Sequence, residues 1–327
     1  MNTPPTQVAA RLDPGVLCDV AAAVLAAAGM PGDKARFLAE RLVENDLRGV
    51  FSHGTQQLRN YPRDLGDGQL NPDPIVRLVD ESPTTLRLDG DGGHGYVPAD
   101  EASARIADKA LQVGMAAATT GNHGHFGAAG IYARRIAARG LIAYVTSGHQ
   151  LGLRPGGRFQ TAAGGSPMCF ALPSSGEPPF VLDFGAMSDL YDSDPHGDTI
   201  LQLAPGMVVR SIGLGAVCQA LGGFLAGVPL DPARAERRWP GANQGAFMIA
   251  VDPNRFMAPG AFAQEMTEYI AAAQKLQPLA GFSEAMLPGE PEWRRAQAWQ
   301  RDGIPIGEGH AETLRRVGEA FGVAAPV

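Results

Sequence analysis

Between Asp13 and Asn45 the apolar residues recur at helical spacing: Val16, Val20, Val24 and Leu25, then Ala35, Leu38 and Leu42, with a break from Gly29 to Gly32. Residues three and four apart share one helical face, so this spacing predicts two short helices. A third helix is expected from about Thr55 past Tyr61, stopped by Gly66, Gly68 and Pro72. The period then drops to two. Ile75–Val79 and Thr85–Asp89 read as strands, followed by a glycine turn from Gly90 to Gly95 and a helix from about Pro98 to Val113. The same rhythm continues with a strand at Met115–Thr120, a helix at Ala128–Arg139, a strand at Leu141–Ser147 and a Gly/Pro-rich loop from Gly148 to Pro167. Short strands are expected at Met168–Leu172 and Phe180–Asp183, joined by a turn at Ser174–Pro179. Ile212–Gly227 is apolar all round and predicts a buried helix, and Ala246–Val251 another strand. Helices near Pro259–Leu276, Glu292–Arg301 and Ala311–Phe321 end the chain. Strands alternating with helices imply an α/β class, a mixed sheet covered by helices behind an N-terminal helical cap. The expected division is an N-terminal helical region (1–75), a central α/β domain (76–245), and a C-terminal strand with helices that pack back on the N-terminal region (246–327).

Composition narrows the class of partner. The 327 residues carry 27 Lys and Arg against 34 Asp and Glu, a formal charge of −7, with the arginines scattered rather than massed. That balance gives no electrostatic footprint for nucleic acid and points to a small molecule. No basic leader or uninterrupted apolar run of about 18 residues is evident, so no membrane partner is expected. Three cysteines, Cys18, Cys169 and Cys218, lack CxxC spacing and fit a reducing, cytoplasmic setting.

Four segments carry candidate chemistry. Gly90-Asp-Gly92-Gly93-His-Gly95 matches GxGxxG, but the next strand ends in Thr119-Thr120-Gly121-Asn122 without the acidic residue a ribose hydroxyl needs. A glycine turn is the better reading. In Asp46-Leu-Arg48-Gly-Val-Phe-Ser52-His53-Gly54 a hydroxyl and an imidazole stand beside a glycine that permits close approach, where a structural histidine is the commoner case. Gly121-Asn122-His123-Gly124-His125-Phe126-Gly127 lies where a strand ends and a helix begins, a place where ligand chemistry concentrates. One of its histidines can simply cap the turn, and no metal site is expected, since two histidines lack further ligands. Asp183 closes an apolar run, so its carboxylate emerges at a strand end, either to orient a histidine or to cap a helix.

Taken in order, several segments resemble the malate/L-lactate dehydrogenase family of non-Rossmann type, whose relatives include ureidoglycolate and sulfolactate dehydrogenases, diketogulonate reductase and piperideine-2-carboxylate reductase. They are Asp46-Leu-Arg48-Gly-Val with Ser52-His53-Gly54, Gly68-Gln-Leu-Asn71-Pro72, Leu88-Asp-Gly-Asp-Gly-Gly, His125-Phe-Gly-Ala-Ala-Gly130, Val181-Leu-Asp183, Phe247-Met-Ile-Ala-Val-Asp-Pro253, Leu287-Pro-Gly-Glu290 and Asp302-Gly-Ile-Pro305. The resemblance implies a homodimer with a non-Rossmann fold, in which hydride passes between NAD or NADP and a 2-oxo or 2-hydroxy acid or a cyclic imino acid. It implies that His53 works with Ser52 and Asp183, that His125 lies at the active site, and that Arg48 and Gln57 occupy substrate positions. Gly127, Arg158, Ser166 and Arg210 fall at cofactor positions.

Three departures stand out. Gln57 and Phe51 replace the family's usual Arg and Asp around the Ser-His-Gly motif, with Arg59 the nearby guanidinium. Gly165-Ser166-Pro167 replaces Thr-Asn-Pro. The stretch Phe184–Gly206 is short and leads into Val208-Val-Arg210-Ser-Ile-Gly-Leu214 in place of Gly-His-Lys-Gly-Tyr-Gly-Leu. Three function classes therefore remain open: a nicotinamide-dependent oxidoreductase, a redox-silent lyase, dehydratase or isomerase using the same histidines and aspartate, and a non-catalytic binding protein.

Overall fold

The computed structural model describes residues 7–176, 178–190 and 196–327; residues 191–195 of the shortened stretch, residue 177 in the turn before the Phe180 strand, and residues 1–6 lie outside the described residues. Strand β1 (Val8–Leu12) leads into helix α1 (Pro14–Ala27), whose start is fixed by Asp13: its carboxylate accepts the N–H groups of Gly15 and Val16 at 2.8 and 3.2 Å, with Pro14 in the first turn. Helix α2 (Gly32–Leu47) packs against α1 through Ala35, Leu38 and Leu42, the spacing that the sequence displays. The expected third helix begins as a 3-10 turn, Thr55–Arg59, and becomes helical at α3 (Tyr61–Gly66).

A seven-stranded sheet forms the centre. It contains β2 (Arg77–Glu81), β3 (Thr85–Asp89), β4 (Met115–His123), β5 (Ile142–His149), β6 (Pro167–Leu172), β7 (Phe180–Gly185) and β8 (Gln244–Val251), in the order β2-β3-β4-β8-β5-β6-β7. Only β3 and β4 pair in parallel; the other neighbours are antiparallel, so the sheet is mixed. Helix α4 (Tyr96–Val113) crosses from β3 to β4, and α5 (Gly130–Ala137) links β4 to β5. Both bury alanine-rich faces on the sheet, where Ile106, Ile131, Ile136 and Tyr132 form the core.

Placing β8 between β4 and β5 corrects the expected role of the C-terminal segment. Its strand lies in the middle of the central sheet, and only the later part returns to the N-terminal region: β9 (Ile304–Gly307) pairs antiparallel with β1. Helix α8 (Ala261–Ala273) follows β8, while α9 (Glu290–Asp302) touches α2 and α10 (Glu308–Phe321) touches α1.

Helix α6 (Gly197–Leu203) and helix α7 (Pro205–Gln219) follow the shortened stretch, and α7 runs on as a π turn, Ala220–Phe224. The sequence predicts burial all round here, and the structure shows burial on one side only. Val208, Ile212 and Cys218 face inward, whereas Val209 is 62% and Val217 49% exposed. Pro205–Phe224 is 20 residues long with mean hydropathy 1.4, long and apolar enough by length and composition to cross a membrane. Its contacts with β5, β6 and the 3-10 turn Phe159–Ala163 make it a packed helix of this fold. Cys18, Cys169 and Cys218 are all buried and unpaired.

Candidate active site

The Ser-His-Gly segment forms a 3-10 turn, Phe51–His53, immediately after α2. Gly54 is required there, because a Cβ on it would collide with the Oδ1 atom of Asp46. Asp46 is fully buried and accepts the Thr55 N–H at 3.0 Å and the Thr55 hydroxyl at 2.6 Å; that hydroxyl also meets His310 Nε2 at 2.9 Å. Burial outweighs those hydrogen bonds and pushes the Asp46 carboxyl up to about 7. This buried trio anchors the turn from behind.

In front of it, Ser52 Oγ lies 3.0 Å from His53 Nδ1, and the His53 and His125 rings stand with centroids 5.3 Å apart. Burial lowers the pKa of His53. His125 is held from below by Tyr61, whose hydroxyl is 2.5 Å from Nδ1, and Tyr61 in turn lies 3.3 Å from the Tyr96 hydroxyl. Burial drives His125 down to about 3, and the neighbouring His53, His94 and His123 add to the effect. At neutral pH His125 is therefore uncharged, and the two neighbouring histidines are unequal.

The other residues of this segment are structural. His123 bonds Thr120 Oγ1 at 2.9 Å and the Gly124 carbonyl at 2.7 Å, so it caps its own turn. The Gly90–Gly95 turn is filled by this chain, since side chains at Gly92 and Gly93 would collide with Trp239 and Pro74. Among the described residues no three His, Cys, Asp or Glu converge as a metal site.

Asp183 reaches across from β7 to the first turn of α5, where it accepts the Gly130 N–H at 3.0 Å. The helix-capping reading thus describes what it touches, and among the described residues no hydrogen bond or ion pair joins it to His53. One side of Asp183 is open to solvent, but protein encloses its carboxyl; burial raises the pKa, opposed by Arg134 and the Gly130 N–H.

Arg134 is absent from the residues that the sequence motifs bring forward. It stands one helical turn after Gly130, and its Nε and Nη2 are buried without a hydrogen-bond partner among the described residues. Its charge also reaches Arg48, whose guanidinium is lowered to about 10, first by burial and then by Arg134. Arg48 Nη1 donates to the Glu44 carbonyl at 2.9 Å. Gln57 spends its amide inside the chain: Nε2 donates to the Ser52 carbonyl at 2.5 Å and Oε1 accepts from Asn60 at 3.3 Å. Arg59 is exposed at the end of its 3-10 turn. The spacing of Arg134 from Gly130, i and i+4 on one helix face, is the signal that could have found it.

The four positions that the family resemblance ties to a cofactor lie on different elements. A Cβ on Gly127 would strike the Tyr96 ring, so this glycine makes room for that phenol. Ser166 is buried with its Oγ accepting the Met187 N–H at 3.2 Å, tying the start of β6 to the segment after β7. Arg158 is exposed and precedes the Phe159–Ala163 turn, which packs against α7 at Gly215, and Arg210 is exposed on α7. The chain thus carries the two guanidinium groups on packed neighbours.

The sequence pattern of malate/L-lactate dehydrogenases matches residues 13–191 and 193–315. This chain belongs to the malate/L-lactate dehydrogenase family. It is 25% identical to the malate dehydrogenase of Pyrococcus abyssi, covering 92% of each chain, and 27% identical to the L-sulfolactate dehydrogenase of Methanocaldococcus jannaschii, covering 92% of this chain and 94% of that one. The solved malate dehydrogenase of Pyrococcus horikoshii superposes with a TM-score of 0.83 at 24% identity, covering 98% of this chain and 99% of the other, which establishes the shared fold. As a member of the family the protein is an oxidoreductase of hydroxy or oxo acids.

Proposed function

We propose that the protein transfers hydride between a nicotinamide dinucleotide, NAD or NADP, and a small 2-oxo or 2-hydroxy acid or cyclic imino acid. The observation that carries this reading is the pairing of two unequal histidines, His53 and His125, the first of them on the turn just after Arg48, whose charge meets that of Arg134. Arg158 and Arg210 suit the pyrophosphate, because exposed guanidinium groups on adjacent elements pair bidentately with phosphate oxygens. When bound, the reduced nicotinamide ring would supply the hydride that reaches carbon 2 of the substrate.

The chain's own residues handle charge and protons. Ser52 fixes Nδ1 of His53, leaving Nε2 to exchange a proton with the substrate oxygen. Its lowered pKa makes the imidazolium a stronger acid toward a developing alkoxide, and the neutral ring a base in the opposite direction. Arg48 and Arg134 hold the substrate carboxylate, which gives the unpartnered Arg134 nitrogens an acceptor. Asp183 supports this from the side by fixing the first turn of α5 and facing Arg134, and Gln57 braces the Ser52 backbone.

Two results test the reading. Wild type is expected to bind NADH or NADPH saturably in a fluorescence-transfer titration, and Arg210→Ala to weaken that binding roughly tenfold or more, the worth of a charge-assisted hydrogen bond. Unchanged affinity in the variant removes Arg210 from the site, and absence of wild-type binding at millimolar cofactor removes the nicotinamide. The exposed apolar residues of α6 and α7, Leu203, Met207, Val209 and Val217, support a homodimer, since a twofold contact would cover them. Light scattering at micromolar concentration should give the mass of two chains; the mass of one chain rejects the dimer.

A further inference from the structure

We propose that Tyr96 and Tyr61 form a one-way hydrogen-bond relay that fixes His125 as its Nε2–H tautomer, so that His125 donates a hydrogen bond to the substrate oxygen while His53 alone carries the proton. This rests on the reading of the cleft as a hydride-transfer site, but the tautomer itself is a property of the free protein.

The direction follows from counting donors. Tyr96 and Tyr61 are both buried, and Tyr61 touches two groups, the Tyr96 hydroxyl at 3.3 Å and His125 Nδ1 at 2.5 Å. Each phenol has one proton to give. If Tyr96 donates to Tyr61, and Tyr61 to His125 Nδ1, every proton in the chain has an acceptor. If His125 Nδ1–H donates instead, Tyr61 must turn its proton to Tyr96, and the Tyr96 proton is left in the core with no acceptor among the described residues. Leaving a buried donor unmade is the costlier arrangement. Burial raises the pKa of both phenols, which keeps them protonated as the relay requires.

The surroundings favour the same arrangement. His94 packs against Tyr61 with ring centroids 4.3 Å apart and the planes tilted by 45°, and it offers no hydrogen bond, both of its nitrogens being buried without a partner among the described residues. Tyr61 is therefore steered sideways by packing, with Tyr96 and His125 as its two polar neighbours. His125 Nε2 has no protein partner among the described residues, and its partly exposed ring stands beside that of His53. A neutral imidazole that cannot readily take up a proton polarises a carbonyl by hydrogen bonding, and it does so without competing with His53 for the transferred proton. Tyr61 and Tyr96 are positioning residues in this scheme.

Nitrogen-15 NMR of histidine-labelled protein tests it. In wild type at neutral pH, His125 should show a protonated Nε2 and an unprotonated Nδ1. Tyr61→Phe, which removes one oxygen and keeps the ring, should release the tautomer to a mixture and lower kcat roughly tenfold or more with little change in KM. Tyr96→Phe leaves the Tyr61–His125 bond in place and should keep the wild-type tautomer, which separates loss of the relay from general loosening of the core. A protonated Nδ1 in wild-type His125 overturns the proposal, as does a Tyr61→Phe protein with the wild-type His125 signals. Because the spectra need neither substrate nor cofactor, a failure of the hydride-transfer reading shows up only in the kinetics.

Discussion

His53→Ala is expected to lower turnover by roughly 10²- to 10⁴-fold, the usual contribution of a positioned proton-transfer group. The loss should fall on kcat, since Arg48 and Arg134 still hold the carboxylate, and folding should survive because His53 lies on a half-exposed turn anchored by the Asp46–Thr55–His310 trio. Steady-state kinetics with circular dichroism of the same preparation checks both parts. A folded variant with wild-type turnover takes the proton role away from His53.

The second large effect is acid lability. His94 and His125 are depressed to about 3 and His310 to about 4, all by burial first. In the unfolded chain these rings take up protons near their ordinary value of 6.5, before the folded protein does. Their contribution to stability is thus full above pH 6.5 and drains away as the pH falls toward 4, by up to about 4 kcal/mol per ring. Asp46 works in the opposite direction: raised to about 7, it favours the folded protein at low pH and loses that advantage as the pH rises from about 4 to 7. Burial also lowers His53, His123 and His149 and raises Asp183, so six depressed histidines stand against two raised aspartates and leave a net loss on acidification. Urea denaturation should therefore give a lower midpoint at pH 5 than at pH 7, and His94→Phe, which removes a ring with two unpartnered nitrogens, should narrow the gap. Equal midpoints at the two pH values would contradict the burial argument.

Much of the architecture is written in local patterns. Helices α1 and α2 bury Val20, Val24 and Leu25 and then Ala35, Leu38 and Leu42 at the expected spacing, with Val16 turned outward instead; α4 covers the expected Pro98–Val113, and the strand ends at Asp89 and Leu172 match the alternation. What the pattern leaves out is non-local. Gln244–Val251 reads as a strand by itself, but nothing in it tells that it inserts between β4 and β5. The β1–β9 pair is missed because Val8–Leu12 has no apolar alternation and Ile304–Gly307 is four residues long with a proline inside. The Pro205–Phe224 helix reads as buried because apolar content cannot distinguish a core face from one that awaits a partner.

The site divides in the same way. Ser52, His53 and His125 sit in glycine-flanked motifs that stand out from any helical pattern, and the structure brings the two histidines together. Tyr61 and Arg134 sit inside ordinary helices, where their type and spacing look like packing and solvation. Their importance comes from what lies across the fold, Tyr96 and His125 for the one, Arg48 and Asp183 for the other. Asp183 shows the converse: its motif singles it out, while its hydrogen bond goes to α5 rather than to His53.

The central claim is that carbon 2 of a small carboxylate exchanges hydride with a nicotinamide on this chain. Reduced NAD and NADP carrying deuterium at position 4 of the nicotinamide ring, incubated with the protein and a panel of 2-oxo acids and cyclic imino acids, test it most directly by mass spectrometry of the products. The account predicts a 2-hydroxy or saturated imino-acid product with one deuterium at carbon 2, and loss of that product in His53→Ala. Saturable binding of the same acids with no deuterium transferred from either cofactor would contradict it and assign the histidine pair to redox-silent proton transfer.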